Sequence, residues 1–441
     1  MKAALDLWLL LRGRSAGRSD PQRLTSVLAV LAFAVTTAVL LLVVGGFAAF
    51  AERAGGDPDP YGDAGFYVTL AGTATILLMV PLVTLGGAAA RLAVARRDER
   101  LAALRLAGAT TGQVSLMTML DAAAQALAGA LIGVAGSFLL ILTVLPLQFQ
   151  GRSFGYAELI APWWVYPTAV LAVTLVALLS AGASLRKVAI TPLGVAARTT
   201  PNPLHWSRLV PILLFAAVFV VLWNTGLASI VVIVMVVAGG FAMLNLLGPW
   251  VMSVVGRIVV RRAKDVATLI AARRLVDSPK TAWRSVGGIA LATFIAGLAA
   301  AVAMYDPASA SDSAEATLYR DMATGGFLTL AIAGVVAAVS TGVMQAGRVI
   351  DQGGEYRALH LAGTDLRVMD SARLRETSIP LAVAVGVATA GALLFMVPAL
   401  GYAFLTATSV LLQFVLSVAA ACALVLLGTL ASRRVVRTVL A

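Results

Sequence analysis

Two acidic residues, Asp121 and Glu376, are the first candidates for chemistry in this 441-residue chain, because each stands in an apolar stretch behind the same short phrase. The phrase is Ala103-Leu104-Arg105-Leu106-Ala107-Gly108-Ala109, and it returns as Ala358-Leu359-His360-Leu361-Ala362-Gly363-Thr364. Glycine to glycine and acid to acid the offset is the same, 363 − 108 = 255 and 376 − 121 = 255, so a duplication accounts for both copies. An acid near hydrocarbon is costly and is kept for a proton path, for gating, or because a helix end or an arginine neutralises it. Neutralisation is the expected role here, by capping the helix or by a neighbour such as Arg373 or Arg375 beside Glu376. No other constellation competes. The two histidines, His205 and His360, are far apart in sequence, and no metal-ligand spacing or nucleophile–base pair stands out. No Gly-x-x-x-x-Gly-Lys-Ser/Thr phosphate loop occurs. The single Cys422 lies in an apolar run and cannot form a disulfide within the chain. No catalytic residue, no metal and no directly bound cofactor is expected.

The elements that position the two acids are membrane helices. Hydrophobic residues make up 60% of the chain and charged residues 12%, against roughly a quarter charged in a soluble domain. Apolar runs near the length of about 20 residues that spans a bilayer occur at Leu24–Phe50, Phe66–Ala95, Ala123–Leu147, Trp164–Leu185, Leu209–Trp223, Ala228–Val255, Val286–Tyr305, Phe327–Ala346, Ile379–Leu400 and Leu405–Ala431. The first is too long for a signal-peptide core of about 7–15 residues and reads as a mature helix. The fifth is the shortest. The expectation is an all-α integral membrane protein of ten transmembrane helices. Arginine and lysine crowd alternate connections, for example Arg91, Arg96, Arg97, Arg100 and Arg105, whereas the other set holds only Arg53, Arg152 and Arg320. Both termini are therefore expected in the cytoplasm. The net charge of +12 is this positive-inside bias together with attraction to anionic lipid, not a nucleic-acid surface. An even number of spans between the two phrases makes the repeats parallel: 1–200 as a first four-helix repeat, 201–260 as a linker helix pair, and 261–441 as a second four-helix repeat.

The phrase itself reads as a helix, a break and a second helix. Leu101 and Leu104 fall on one face, Asp98 and Glu99 lie at the positive end of the helix dipole and Arg105 at the negative end. Gly108 stops that helix, and Thr110 with Gln113 has capping-box spacing for the next, which runs through Asp121. In the second copy Glu355 precedes Tyr356 and Leu359 on the face, and Gly363 is the stop. An exposed Leu/Tyr ridge beside a membrane calls for a partner surface. Elsewhere Gly129, Gly133 and Gly136 suit close helix packing, and Trp163, Trp164 and Tyr166 suit an interfacial aromatic belt.

Arg96-Arg97-Asp98-Glu99 followed by Leu104-Arg105-Leu106-Ala107-Gly108-Ala109-Thr110, with an acid at the start of the third span, Asp121 and again Glu376, and Thr191-Pro192-Leu193 after the fourth, resembles the permease subunits of ABC transporters of the FtsX/MacB superfamily. The looser second copy is Glu355 with Leu359-His360-Leu361-Ala362-Gly363-Thr364. The resemblance implies a subunit that is not itself an enzyme, coupled to a separate cytoplasmic ABC ATPase that holds the ATP and Mg. Two ATPase copies are implied per chain, docked on the helices carrying Glu99, Leu101, Leu104, Arg105 and Gly108 and their counterparts Glu355, Tyr356, Leu359, His360 and Gly363. It implies export or extraction of a hydrophobic or amphipathic substrate, lipid or peptide antibiotic, from a bacterial inner membrane. The outer loops near Ala51–Gly65 and Asp306–Gly325 are too short for the large extracellular domain of many members, so an outside partner would be small or membrane-anchored. His360 in place of arginine makes the two docking sites unequal. Two alternatives stand beside this reading: an ATPase-driven signalling module working a sensor or cell-wall enzyme, and an ion-coupled secondary transporter using Asp121 and Glu376.

Overall fold

The computed structural model describes residues 21–56, 64–95, 110–190, 209–224, 230–302, 313–351, 361–363, 366–400 and 408–431. The helices are α1 (Pro21–Gly55), α2 (Ala64–Ala95), α3 (Thr111–Val144), α4 (Val165–Ile190), α5 (Leu209–Asn224), α6 (Ile230–Arg262), α7 (Val266–Asp277), α8 (Pro279–Val302), α9 (Ser313–Asp351), α10 (Leu366–Leu400) and α11 (Thr408–Ala431). Between α3 and α4 lies a hairpin of β1 (Gln148–Phe149) and β2 (Arg152–Ser153). Among the described residues, eight helices are long and apolar enough to cross a membrane, which makes this an all-α multi-pass membrane protein. Each of the ten expected spans falls on a helix, but two of these helices are not among the eight. The 16 residues of α5 reach only about 24 Å, against a hydrocarbon core of about 30 Å. In α11 the apolar stretch is Leu411–Leu427.

The eleventh helix, α7, is amphipathic. Its buried residues Ala267, Ala271, Ala272 and Leu275 are four, one and three apart, which is one face of a helix. That face packs on α6 and α10.

The first three helices of two groups pack alike, and the fourth packs differently. α1 lies against α2 and α3, and α4 against α3 and α2; α8 lies against α9 and α10, and α11 against α9 and α8. α2 and α9 also pack on each other, so these two helices join the groups. The second group gains a further layer, because α6 packs on α8 and α10. There the Trp283 indole Nε1 donates to Asn245 Oδ1 at 3.1 Å, and Asn245 Nδ2 donates to the Phe241 carbonyl at 3.0 Å. The indole covers Gly248, where a Cβ would run into the ring.

Close approach explains the glycine stripe on α3. A Cβ on Gly129 would stand 2.6 Å from Phe33 Cβ and 2.7 Å from the Val30 carbonyl; on Gly133 it would stand 2.5 Å from the Ala34 carbonyl and 2.7 Å from Thr37 Cβ. Gly136 has ordinary room, with Ala38 Cβ at 3.6 Å. Backbone carbonyls cannot swing aside as a side-chain tip can. Gly133→Ala is therefore expected to destabilise by about 1–3 kcal/mol through overpacking, whereas Gly182→Ala, with nothing within 4 Å of its Cβ, is neutral or slightly stabilising. Thermal midpoints of the two variants in one detergent decide it; equal midpoints would refute the close-packing role.

Candidate functional site

The two phrases follow α2 and α9 in the chain and precede α3 and α10. Residues 96–109 and 352–360 lie outside the described residues, and with them Glu99, Leu101, Leu104, Arg105, Gly108, Glu355, Tyr356, Leu359 and His360. What is described is the root of each phrase. Gly363 has φ +89°, the left-handed conformation that glycine adopts without strain and that ends helices. Beside it Leu361 is 81% exposed. Thr110 forms the expected capping box: its Oγ1 accepts from the Gln113 N–H at 3.3 Å, and its own N–H donates to Gln113 Oε1 at 2.9 Å. The ends of α2 and α9 that lead into the two phrases touch, since Leu92 Cδ1 lies 3.0 Å from where a Gly347 Cβ would be.

The two acids do not cap their helices. Asp121 and Glu376 each stand ten residues beyond a helix start, 121 − 111 and 376 − 366, because α3 and α10 begin well before their apolar stretches. Asp121 is partly buried. The Glu376 side chain is 8% exposed and accepts at Oε1 from Arg274 Nη1 of α7 at 2.6 Å. This cation comes from 102 residues upstream. Arg375 pairs with Asp265 and donates to Thr268 Oγ1 at 2.6 Å. One residue further on, Thr377 Oγ1 accepts from Gln345 Nε2 of α9 at 2.7 Å, both side chains being buried. Thr341 of α9 donates to the Ser285 carbonyl of α8 at 2.9 Å. Four helices are thus stitched together directly behind the second phrase.

The opposite side holds a second constellation that the sequence did not announce. The Arg53 side chain, at the end of α1, is 3% exposed and lies under the α3–α4 connection. It pairs with Glu158 through Nε and through Nη2 at 3.0 Å, and donates to the Phe149 carbonyl at 3.1 Å and the Ser153 carbonyl at 3.3 Å. Its Cζ sits 4.1 Å above the Phe154 ring. The hydrogen bond from Arg53 holds the Glu158 carboxyl below its ordinary value, against the opposing effect of burial. Gln150 and Gly151, at φ 56° and 72°, make the tight hairpin turn. At that turn the Gln150 N–H donates to Asp321 Oδ2 of α9 at 2.5 Å, and the Tyr67 hydroxyl of α2 donates to the same oxygen at 2.8 Å. Phe50 meets Phe149 and Phe154 edge-on beneath, with centroids 5.5 and 5.3 Å apart. The connection is a cap fastened to α1, α2 and α9 at once. Trp163 and Trp164 project from it, 82% and 56% exposed, as interfacial anchors do, while Tyr166 stacks on Phe138 at 5.8 Å.

Of the local expectations, the capping box at Thr110 and the left-handed Gly363 are present, whereas the acids do not cap their helices. Sequence reasoning missed Arg274 and the Arg53–Asp321 cap; a faint signal for the cap was Gln150-Gly151 after an apolar span. Among the described residues no group of three or more His, Cys, Asp or Glu is placed to hold a metal ion.

Residues 72–193 match the sequence model of the FtsX-like permease C-terminal family, which is consistent with a permease of the FtsX/MacB type. The match takes in the first phrase, Asp121 and the tail after α4, and ends before the second phrase begins. It supports a membrane permease component of an ABC-type system. No match to a curated protein or to a solved structure was found.

Proposed function

We propose that this chain is the transmembrane subunit of an ABC transporter, in which a separate cytoplasmic ATPase docks on the two phrases and drives export or extraction of a hydrophobic or amphipathic substrate. The observation that carries this is the rooting of the second phrase. Gln345–Thr377, Arg274–Glu376 and Arg375–Asp265 bind α9, α10 and α7 together immediately behind it. A push on a helix so rooted moves the whole group rather than bending a loop. ATP and Mg belong to the ATPase, and the basic side is the cytoplasmic one. The like packing of α1–α3 and α8–α10 supports two parallel repeats, with two ATPase copies per chain, and the different seat of α11 and the extra layer of α6 and α7 on the second group support unequal docking sites.

The docking reading predicts that Leu104→Asp and Leu359→Asp together abolish co-purification with the ATPase, each charged residue costing an apolar contact on the order of 2 kcal/mol or more. Undiminished recovery of the ATPase would overturn it.

A signalling role for the same motion has its own support in α9. This single helix of 39 residues, about 58 Å long, carries Gln345 at one end and Asp321 of the cap at the other. ATP-dependent movement of labelled substrate in vesicles separates transport from force transmission alone. Ion-coupled carriage through Glu376 has less behind it, since that carboxylate is occupied by Arg274.

A further inference from the structure

α7 is joined to α6 through residues 263–265 and to α8 through residue 278. Both neighbours are membrane spans up to that point, Ala238–Arg262 and Pro279–Ala300, and α7 packs on α10 where its apolar stretch Leu374–Leu394 begins. Three spans thus fix α7 at the level of the bilayer surface. Its cations divide by direction. Arg274, with Arg375 of α10, is used in the α7–α10 pairs. Arg261, Arg262, Lys264, Arg273, Lys280 and Arg284 are exposed around it. The exposed face of α7 also presents Val266 and Leu269, 63% and 36% exposed, at three- and seven-residue spacing with Arg273. Acids are few: Asp265 is paired with Arg375, and Asp277 is exposed.

We propose that this shoulder, formed by the end of α6, α7 and the start of α8, is a binding surface for the headgroup of an anionic phospholipid. An apolar strip lying between arginines at the membrane boundary is what an interfacial helix offers, the strip to the acyl region and the cations to the phosphates. A soluble partner is the poorer occupant, because the short connections hold α7 down at the membrane. Bound lipid presses α7 onto α10, and so steadies the Arg274–Glu376 pair from the outside. The surface involves neither phrase, so it stands or falls separately from ATPase docking.

The test titrates the detergent-purified full chain with phosphatidylglycerol, phosphatidylcholine or glycerol phosphate while following the thermal midpoint. Phosphatidylglycerol is expected to raise the midpoint saturably, phosphatidylcholine not, and the rise should weaken in high salt. In Arg261→Gln/Arg262→Gln/Lys264→Gln/Arg273→Gln the apparent affinity should fall at least tenfold, given about fivefold for each charge near an anionic surface. If that variant does not fold, Lys264→Gln/Arg273→Gln should show a smaller loss in the same direction. No phosphatidylglycerol effect on the native chain, or an equal effect on native and variant, overturns the proposal. Stabilisation by glycerol phosphate alone overturns the lipid as occupant.

Discussion

Arg53→Ala is expected to lower stability by about 2–4 kcal/mol, somewhat less than removal of one partner of a fully buried ion pair because the Glu158 side chain is 23% exposed. The size follows from what is left behind. Arg53 serves the Glu158 carboxylate and the carbonyls of Phe149 and Ser153 from a side chain 3% exposed, and its guanidinium lies on Phe154. Alanine leaves the part-buried Glu158 carboxylate and Phe149 carbonyl without this donor, while the exposed Ser153 carbonyl can turn to water. Arg53→Lys should recover only part of the loss, because one ammonium cannot reproduce a planar fork that reaches several acceptors. Thermal midpoints, together with the rate of proteolysis between residues 145 and 164, give the readout. A variant whose midpoint and cleavage match the native chain would show that the cap is held by its apolar contacts alone.

The same pair sets a pH dependence. Glu158 has a folded value below its ordinary 4.5, so in the unfolded chain it takes up a proton first as the medium is acidified. Its contribution is complete above about pH 5 to 6 and is lost as the pH falls from 4.5 through the lower folded value. The stability difference between the native chain and Glu158→Gln should therefore be flat at neutral pH and shrink below that point. A difference that grows on acidification would refute the assignment.

What was legible in the sequence were features written in consecutive residues. Ten apolar runs lay where helices form, Thr110 and Gln113 made their box, and Gly363 took the left-handed conformation expected of a glycine stop. Small residues at Gly129 and Gly133 forecast a tight crossing because only backbone proximity rewards them. Partners distant along the chain were not legible. Nothing near Glu376 in sequence points to Arg274, and nothing near Arg53 points to Glu158, because tertiary packing chooses among many arginines of equal local standing. The hairpin was missed for another reason: strands of two residues each are shorter than any alternating pattern can show. Its signal is a left-handed turn at Gln150 and Gly151, which only the glycine half announces.

Glu376→Ala is expected to cost about 2–3 kcal/mol, less than a fully buried pair because the Arg274 side chain remains 29% exposed. Arg274→Ala takes this partner from the more deeply buried Glu376 side chain, 8% exposed, and is expected to cost a similar amount. The double variant is the informative one. If the pair exists to position α7 against α10, removing both charges relieves the isolated one, and Arg274→Ala/Glu376→Ala should be no less stable than Glu376→Ala alone. ATPase activity in the assembled complex should follow the same order, with the double variant recovering part of what the single one loses. A carboxylate that carried protons would behave otherwise: no change at Arg274 could restore function once Glu376 was gone, and Glu376→Gln would stop activity while sparing the fold. Partial recovery in the double variant therefore assigns Glu376 to positioning, and its absence, with stability intact in Glu376→Gln, assigns it to proton movement.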